Sequence, residues 1–296
     1  MSESTVYLSI GGLVFSITGP SRYMGALNEG RYRDFHRSAA EADLALNVHD
    51  SPRELEELLP PSSRKVFDSN TVWSLWEGGG GIHMLLRSPV MGGTPYRLAS
   101  FDEGLTTGDV WTIAGRGGHS LLEGERDPLE FPLSEVLMVL LLSRGLGLMV
   151  HACGLESGGR GLLFPGNSTH GKSTMASLWR DRARILNDDR IILREREGAI
   201  AMYGTPWHGD MSDVSAEGVP LTAVSFLFHG RKNVLAPVSG ARAVSMLLRR
   251  SFLPVWSREG MEFSLRFCEE TEERVAFGEL RFVPDKGVVD FLECRI

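Results

Sequence analysis

Gly166-Asn167-Ser168-Thr169-His170-Gly171-Lys172-Ser173 is the stretch from which the rest of this chain is best read. It satisfies G-x-x-x-x-G-K-[ST] in full, and each fixed position has a physical task. The glycines let the backbone curl so that successive N–H groups point inward, and the helix expected to follow adds the positive end of its dipole to the same anion site. Lys172 is placed to reach the β- and γ-phosphates of a nucleoside triphosphate. Ser173, with Thr174 beside it, is placed to give an oxygen to Mg²⁺, an ion that shares itself between protein oxygens, phosphate and water. Gly166 through Thr174 are therefore the candidate nucleotide-binding residues.

The flanks fit a strand, loop and helix in that order. Leu148–Cys153 and Gly161–Phe164 read as strands joined by a turn through Ser157-Gly158-Gly159. After the loop, Met175, Leu178 and Trp179 fall at i, i+3 and i+4, which predicts a helix over 172–180. A short strand, Arg184–Asn187, then delivers Asp188-Asp189. Gripping a triphosphate only binds it, and transfer also needs a metal ligand and a group to take the acceptor's proton. Two adjacent carboxylates can divide those tasks. Ile191–Leu193 and Ala199–Tyr203 predict a hairpin turning near Gly198, which releases Gly204-Thr205-Pro206-Trp207-His208-Gly209-Asp210 close to the same place. There Trp207 is a candidate for stacking on a base or acceptor, and His208 for bonding phosphate.

The part up to about Glu125 reads as short β-prone segments, including Thr5–Ile10, Leu13–Thr18, Thr71–Trp76 and Ile82–Leu86. Gly78-Gly79-Gly80-Gly81 fits a hairpin turn between two of them, since no lysine or helix follows it. Pro132-Leu133-Ser134-Glu135 opens an apolar helical run that ends at Arg144-Gly145, with proline early and glycine just past the end. These features divide the chain into a β-rich domain, residues 1–125, and a larger domain, residues 126–296. Arg249-Arg250, after the run Val244–Leu248, reads as a charged helix end. Near the C-terminus, Phe263–Phe267 and Val288–Leu292 read as alternating segments that complete the sheet.

A chain of 296 residues, 42% of them apolar, can build its core without metals or disulfides. A net charge of -7 argues against broad capture of nucleic acid or anionic membrane. Cys153, Cys268 and Cys294 are widely separated and lack metal-site spacing, so they are expected to be reduced and mostly buried. Met1-Ser2-Glu3-Ser4 does not open a secretory signal, and the longest apolar run, Val136–Leu142, is too short to span a bilayer. The expectation is a cytoplasmic protein.

Between about Leu148 and Leu193 the sequence resembles the catalytic domain of HPr kinase/phosphorylase. The resemblance rests on His151 at the start of the strand pair, the loop Gly166–Ser173, and Asp188-Asp189 followed by Arg190 and an apolar strand. It implies an α/β P-loop kinase domain of the HPr-kinase/phosphoenolpyruvate-carboxykinase type, carrying a smaller β-rich N-terminal domain and using ATP and Mg²⁺. By the same resemblance, Lys172 contacts phosphate, Ser173 binds Mg²⁺, Asp189 accepts the proton with Asp188 beside it, and His151 lies near the transferred phosphate; that leaves Asp188 as the carboxylate of the pair expected on the metal. Thr169 stands where the family has glycine. The family's second metal-binding acid has no clear match, and Asp210 is the candidate for it. Pro237-Val238-Ser239-Gly240-Ala241-Arg242 is weakly similar to the phosphorolysis loop but lacks its fuller basic and proline pattern, so phosphorylase activity is not expected. Arg231 and Arg242 are candidates for the catalytic arginine.

The Gly204–Asp210 run and the β-rich N-terminal part resemble HPr-kinase-like proteins of bacterial peptide-modification and cofactor-biosynthesis gene neighbourhoods. The expected acceptor is accordingly a hydroxyl on a peptide, a protein or a small metabolite, and family analogy implies a homo-oligomer. The alternatives are a nucleotide-binding scaffold without transfer, and a carboxykinase-like enzyme, whose metal-binding lysine and histidine are not evident here.

Overall fold

Alternating apolar and polar residues make strands wherever one face of a sheet is covered, and this pattern accounts for most of the protein. The computed structural model describes residues 3–51, 54–88, 93–113, 127–167 and 169–295. The chain divides into two compact units, residues 1–9 with 13–138 and residues 10–12 with 139–296. The boundary expected at 125/126 lies outside the described residues. Each unit holds one large sheet in a mixed α/β arrangement. No helix among the described residues is long and apolar enough to cross a membrane.

The first unit contains β1 (Glu3–Ile10), β2 (Leu13–Pro20), α1 (Ser21–Asn28), β3 (Leu44–Asp50), β4 (Arg64–Asp68), β5 (Trp73–Gly78), β6 (Gly81–Arg87), β7 (Pro95–Asp102) and β8 (Thr107–Thr112). Its eight strands lie in the order β1-β2-β3-β8-β7-β6-β5-β4. The glycine run makes the tight β5–β6 turn, with Gly79 and Gly80 at φ 59° and 75°. A buried Arg97 crosses this unit, donating to Thr112 Oγ1 at 3.1 Å, the Asp127 carbonyl at 2.8 Å and Glu130 Oε1 at 2.9 Å. The helix α2 (Leu133–Leu142), apolar all round from Val136 onward, contains the division between the two units.

The second unit contains β9 (Leu148–Ser157), β10 (Arg160–Pro165), α3 (Lys172–Trp179), β11 (Arg184–Asn187), β12 (Arg190–Arg196), β13 (Ala199–Tyr203), β14 (Gly218–His229), β15 (Val234–Pro237), α4 (Gly240–Leu248), α5 (Arg258–Arg274), β16 (Ala276–Phe282) and α6 (Gly287–Glu293). Two long strands serve two neighbourhoods each. The first half of β9 pairs with β12 and its second half with β10 and β11. Likewise β14 begins beside β13 and continues, parallel, between β10 and β16. Helices cover both faces. Met175, Ala176 and Trp179 of α3 share a core with Val288, Val289 and Leu292 of α6. Ala243, Val244 and Leu247 of α4 and Phe267 and Cys268 of α5 share the other.

The two C-terminal segments read as strands are helices. Phe263–Phe267 lies inside α5, whose buried residues Gly260, Ser264, Phe267, Cys268 and Thr271 recur every three or four positions. Ser257 caps that helix by accepting from the Gly260 amide at 3.0 Å. Val288–Leu292 lies inside α6. Over five residues, apolar positions two and four apart satisfy a strand and a helix alike, and only the longer window separates them.

Candidate active site

Parallel β10, β14 and β16 end at the same edge of the sheet, and in such sheets ligands bind beyond the carboxyl ends of the strands. The loop between Pro165 and Lys172 leaves β10 at that edge. It ends in a left-handed Gly171, φ 90°, from which α3 starts. An added Cβ at Gly171 would meet Phe282 Cζ of β16 at 2.9 Å, so a side chain there would have to displace that ring as well as adopt a positive φ. A cavity of about 320 Å³ opens over the helix start. Thr169, Gly171, Lys172, Ser173 and Thr174 contribute one part of its lining, and His151, Asp189, Gly209 and Asp210 the rest.

Lys172 is buried as a residue, 8% exposed. Its one hydrogen bond among the described residues goes to the Asn167 carbonyl at 3.3 Å, leaving most of its donor capacity unused. Burial pulls it below the ordinary lysine value, while the Asp189, Asp188 and Asp210 carboxylates push it back up. The first turn of α3 also has N–H groups with no partner inside the helix. An anion in the cavity would satisfy both.

Asp189 sits at the opposite pole of the charge pattern. Its Oδ1 pairs with His151 Nε2 at 2.9 Å, and its Oδ2 accepts from Arg190 Nη1. Burial pushes its carboxyl upward, but the His151 bond and the charges of Arg190, His151 and Lys172 outweigh burial and hold it below the ordinary carboxylate value. Phe252 flanks the group, edge-on to His151 at 6.3 Å and beneath the Arg190 guanidinium at 5.5 Å. The His151 N–H donates to the Arg250 carbonyl at 2.7 Å, which ties β9 to the segment carrying Phe252.

Asp188 has a different task from its neighbour. It is fully buried, does not line the cavity, and accepts from the backbone amides of Gly209 at 2.7 Å and Met211 at 3.2 Å. It therefore anchors the Gly204–Asp210 segment and sets Asp210 at the cavity. Asn187, unmarked in the sequence reading, knots the same region. Its Oδ1 accepts from the Asp189 and Arg190 amides at 2.7 and 2.8 Å, and its Nδ2 donates to the carbonyls of Thr205 at 2.8 Å and Trp207 at 3.3 Å. The first of these is the self-capping bond that asparagine makes two residues ahead, a signal available from residue type alone.

The structure thus brings His151, Thr169, Gly171, Lys172, Ser173, Thr174, Asp189 and Asp210 to one cavity. Gly166, Asn167 and His170 belong to the loop without lining it, and Ser168 lies outside the described residues. The His170 ring packs 6.0 Å from Phe228 and 6.2 Å from His229, and burial followed by the charges of Arg250 and His229 lowers its pKa. Trp207 is buried, 3% exposed, in the packing role rather than the stacking one, and His208 is exposed. Arg242 pairs with Glu279, and neither it nor the exposed Arg231 lines the cavity.

The donor set fits a hard divalent cation. Ser173 offers a hydroxyl and Asp210 a carboxylate, the oxygen ligands that Mg²⁺ prefers, whereas both Asp189 oxygens are already held by His151 and Arg190. No group of three or more His, Cys, Asp or Glu able to hold an ion is found among the described residues. Compared with protein-family models and with curated proteins, the chain matches none.

Proposed function

We propose that this protein is a Mg²⁺-dependent phosphotransferase that moves the γ-phosphoryl group of ATP to a hydroxyl on a peptide, a protein or a small metabolite. The observation that carries this reading is one cavity with an under-bonded, buried Lys172 at a helix start and a His151-oriented Asp189 carboxylate in the same lining. Cation and backbone amides suit the triphosphate, and the ionised carboxylate suits an incoming hydroxyl.

In the proposed reaction the acceptor oxygen attacks the γ-phosphorus, the bond from that phosphorus to the β,γ-bridging oxygen breaks, and ADP leaves. The hydroxyl proton passes to Asp189. His151 and Arg190 hold that carboxylate by one oxygen each, which fixes its direction and keeps it ionised. Lys172 accompanies the charge that develops on the phosphoryl oxygens, the main contribution a protein can make to such a loose transition state. Ser173 and Asp210 would hold Mg²⁺, which would supply neutralisation of phosphate charge when bound.

The test is incubation with γ-labelled ATP and a host lysate. Label on a protein, peptide or metabolite, absent with Lys172→Ala, is the expected result; label loss only to water, with every acceptor fraction blank, would remove the hydroxyl-transfer reading. A second reading, a nucleotide-binding scaffold without transfer, is favoured by Asp188, whose oxygens are engaged by backbone amides. Tight ATP binding with no loss of the γ-phosphate would select it.

A further inference from the structure

We propose that His229 is a positioning residue of the phosphate loop, holding Thr169 in the left-handed conformation that a glycine would adopt unaided; this rests on the nucleotide-binding reading of the same loop. Thr169 has φ 75°. For a β-branched residue that is a true outlier, and such a conformation costs about 1–3 kcal/mol unless its surroundings enforce it. One enforcing contact is visible. His229 Nε2 lies 3.0 Å from the Thr169 carbonyl, and because a carbonyl can only accept, Nε2 must carry the proton and donate it.

The bond is a product of topology. His229 is the last residue of β14, and β14 runs parallel to β10, the strand from which the loop departs. Two residues sixty apart in sequence are thereby delivered to one sheet edge. The brace continues on either side of it. His170 packs against Phe228 and His229, and Gly171 lies over Phe282 of β16. The loop is thus fixed from β14 and β16, while Thr169 itself lines the cavity. Release of Thr169 to negative φ would rotate the peptide that follows it and displace the Gly171-Lys172 entrance to α3. His229 is exposed and outside both cores of this unit, so the contact is a hydrogen-bonded clamp rather than packing.

The experiment is a double-mutant cycle read in two ways. The variants are His229→Ala, His229→Gln, Thr169→Gly and the pair Thr169→Gly with His229→Ala. One readout is the Kd of an ATP analogue with a non-transferable γ-phosphate in the presence of Mg²⁺. The other is amide hydrogen exchange at Gly171 and Lys172 without nucleotide. A single hydrogen bond predicts that His229→Ala weakens analogue binding about three- to tenfold and speeds exchange by a similar factor. Glutamine, which can also donate, restores both. In the glycine background His229→Ala changes neither by more than about twofold, since glycine takes positive φ freely. An equal effect of His229→Ala in both backgrounds, or none on either readout, overturns the clamp. A wild-type protein that binds no nucleotide defeats the proposed function instead, and the exchange measurement still decides the clamp.

Discussion

Lys172→Ala removes the lysine that lines the cavity among the described residues, and is expected to weaken ATP binding at least about tenfold, the scale of a charged hydrogen bond, as measured by titration calorimetry. Asp189→Asn should leave ATP binding nearly intact while lowering transfer by about 10²–10⁴-fold, the range for loss of a proton acceptor, in a labelled-phosphate assay. The same substitution has a pH signature. The folded Asp189 carboxyl is held below its ordinary value, so the stability it contributes is in place above about pH 4 and is lost as pH falls through the lower folded value. Urea unfolding of the wild type should therefore weaken more steeply below about pH 4 than that of Asp189→Asn. The lowered Lys172 value means that its charge is lost at a lower pH than that of an ordinary lysine.

At the scale of elements, the loop from Gly166 to Ser173 depends on Gly171. Gly171→Ala places a Cβ 2.9 Å from Phe282 at φ 90°, and a strain of about 1–3 kcal/mol is expected, seen as a lower urea midpoint together with weaker ATP binding. The loop's flanks were legible because β9, β10 and α3 each have a pattern confined to their own residues. The Ser157–Gly159 turn and the helix start at Lys172 lie where composition puts them. The extended reading of Phe263–Phe267 failed for want of length, since the Ser257 cap and the Arg258–Glu262 pair at 3.0 Å that mark α5 lie outside that window. Asp188-Asp189 was legible as an acidic pair, but not the division of labour within it. Which carboxylate meets the cavity and which anchors the backbone depends on the path of residues 204–211, set by Asn187 and by Gly204, where a Cβ would stand 2.0 Å from the Leu186 carbonyl.

For the protein as a whole, the cysteines give a direct measure of integrity. Burial, with Asp188 nearby, raises the Cys153 thiol beyond the ordinary range, and burial with Glu269 nearby pushes Cys268 up to about 12. Cys294 is exposed. Thiolates are the reactive species, so native protein at pH 8 should consume one equivalent of a thiol reagent quickly and all three only after unfolding, as followed by mass spectrometry. Two rapid equivalents in the native state would mean that one of the second unit's cores opens readily, because Cys153 and Cys268 lie in different ones.

The sequence by itself determined the strand, loop and helix, the β-rich character of the first unit and the residue types gathered around the loop, because period, glycine placement and motif spacing are local properties. Tertiary structure decided the rest. It selected Asp189 over Asp188 for the cavity, buried Trp207, turned His170 toward β14 and brought His229 to Thr169. The physical reason is common to all four. Each depends on which strand lies beside which, and β10 finds its parallel neighbour β14 only after more than fifty intervening residues, through pairings that no local pattern encodes.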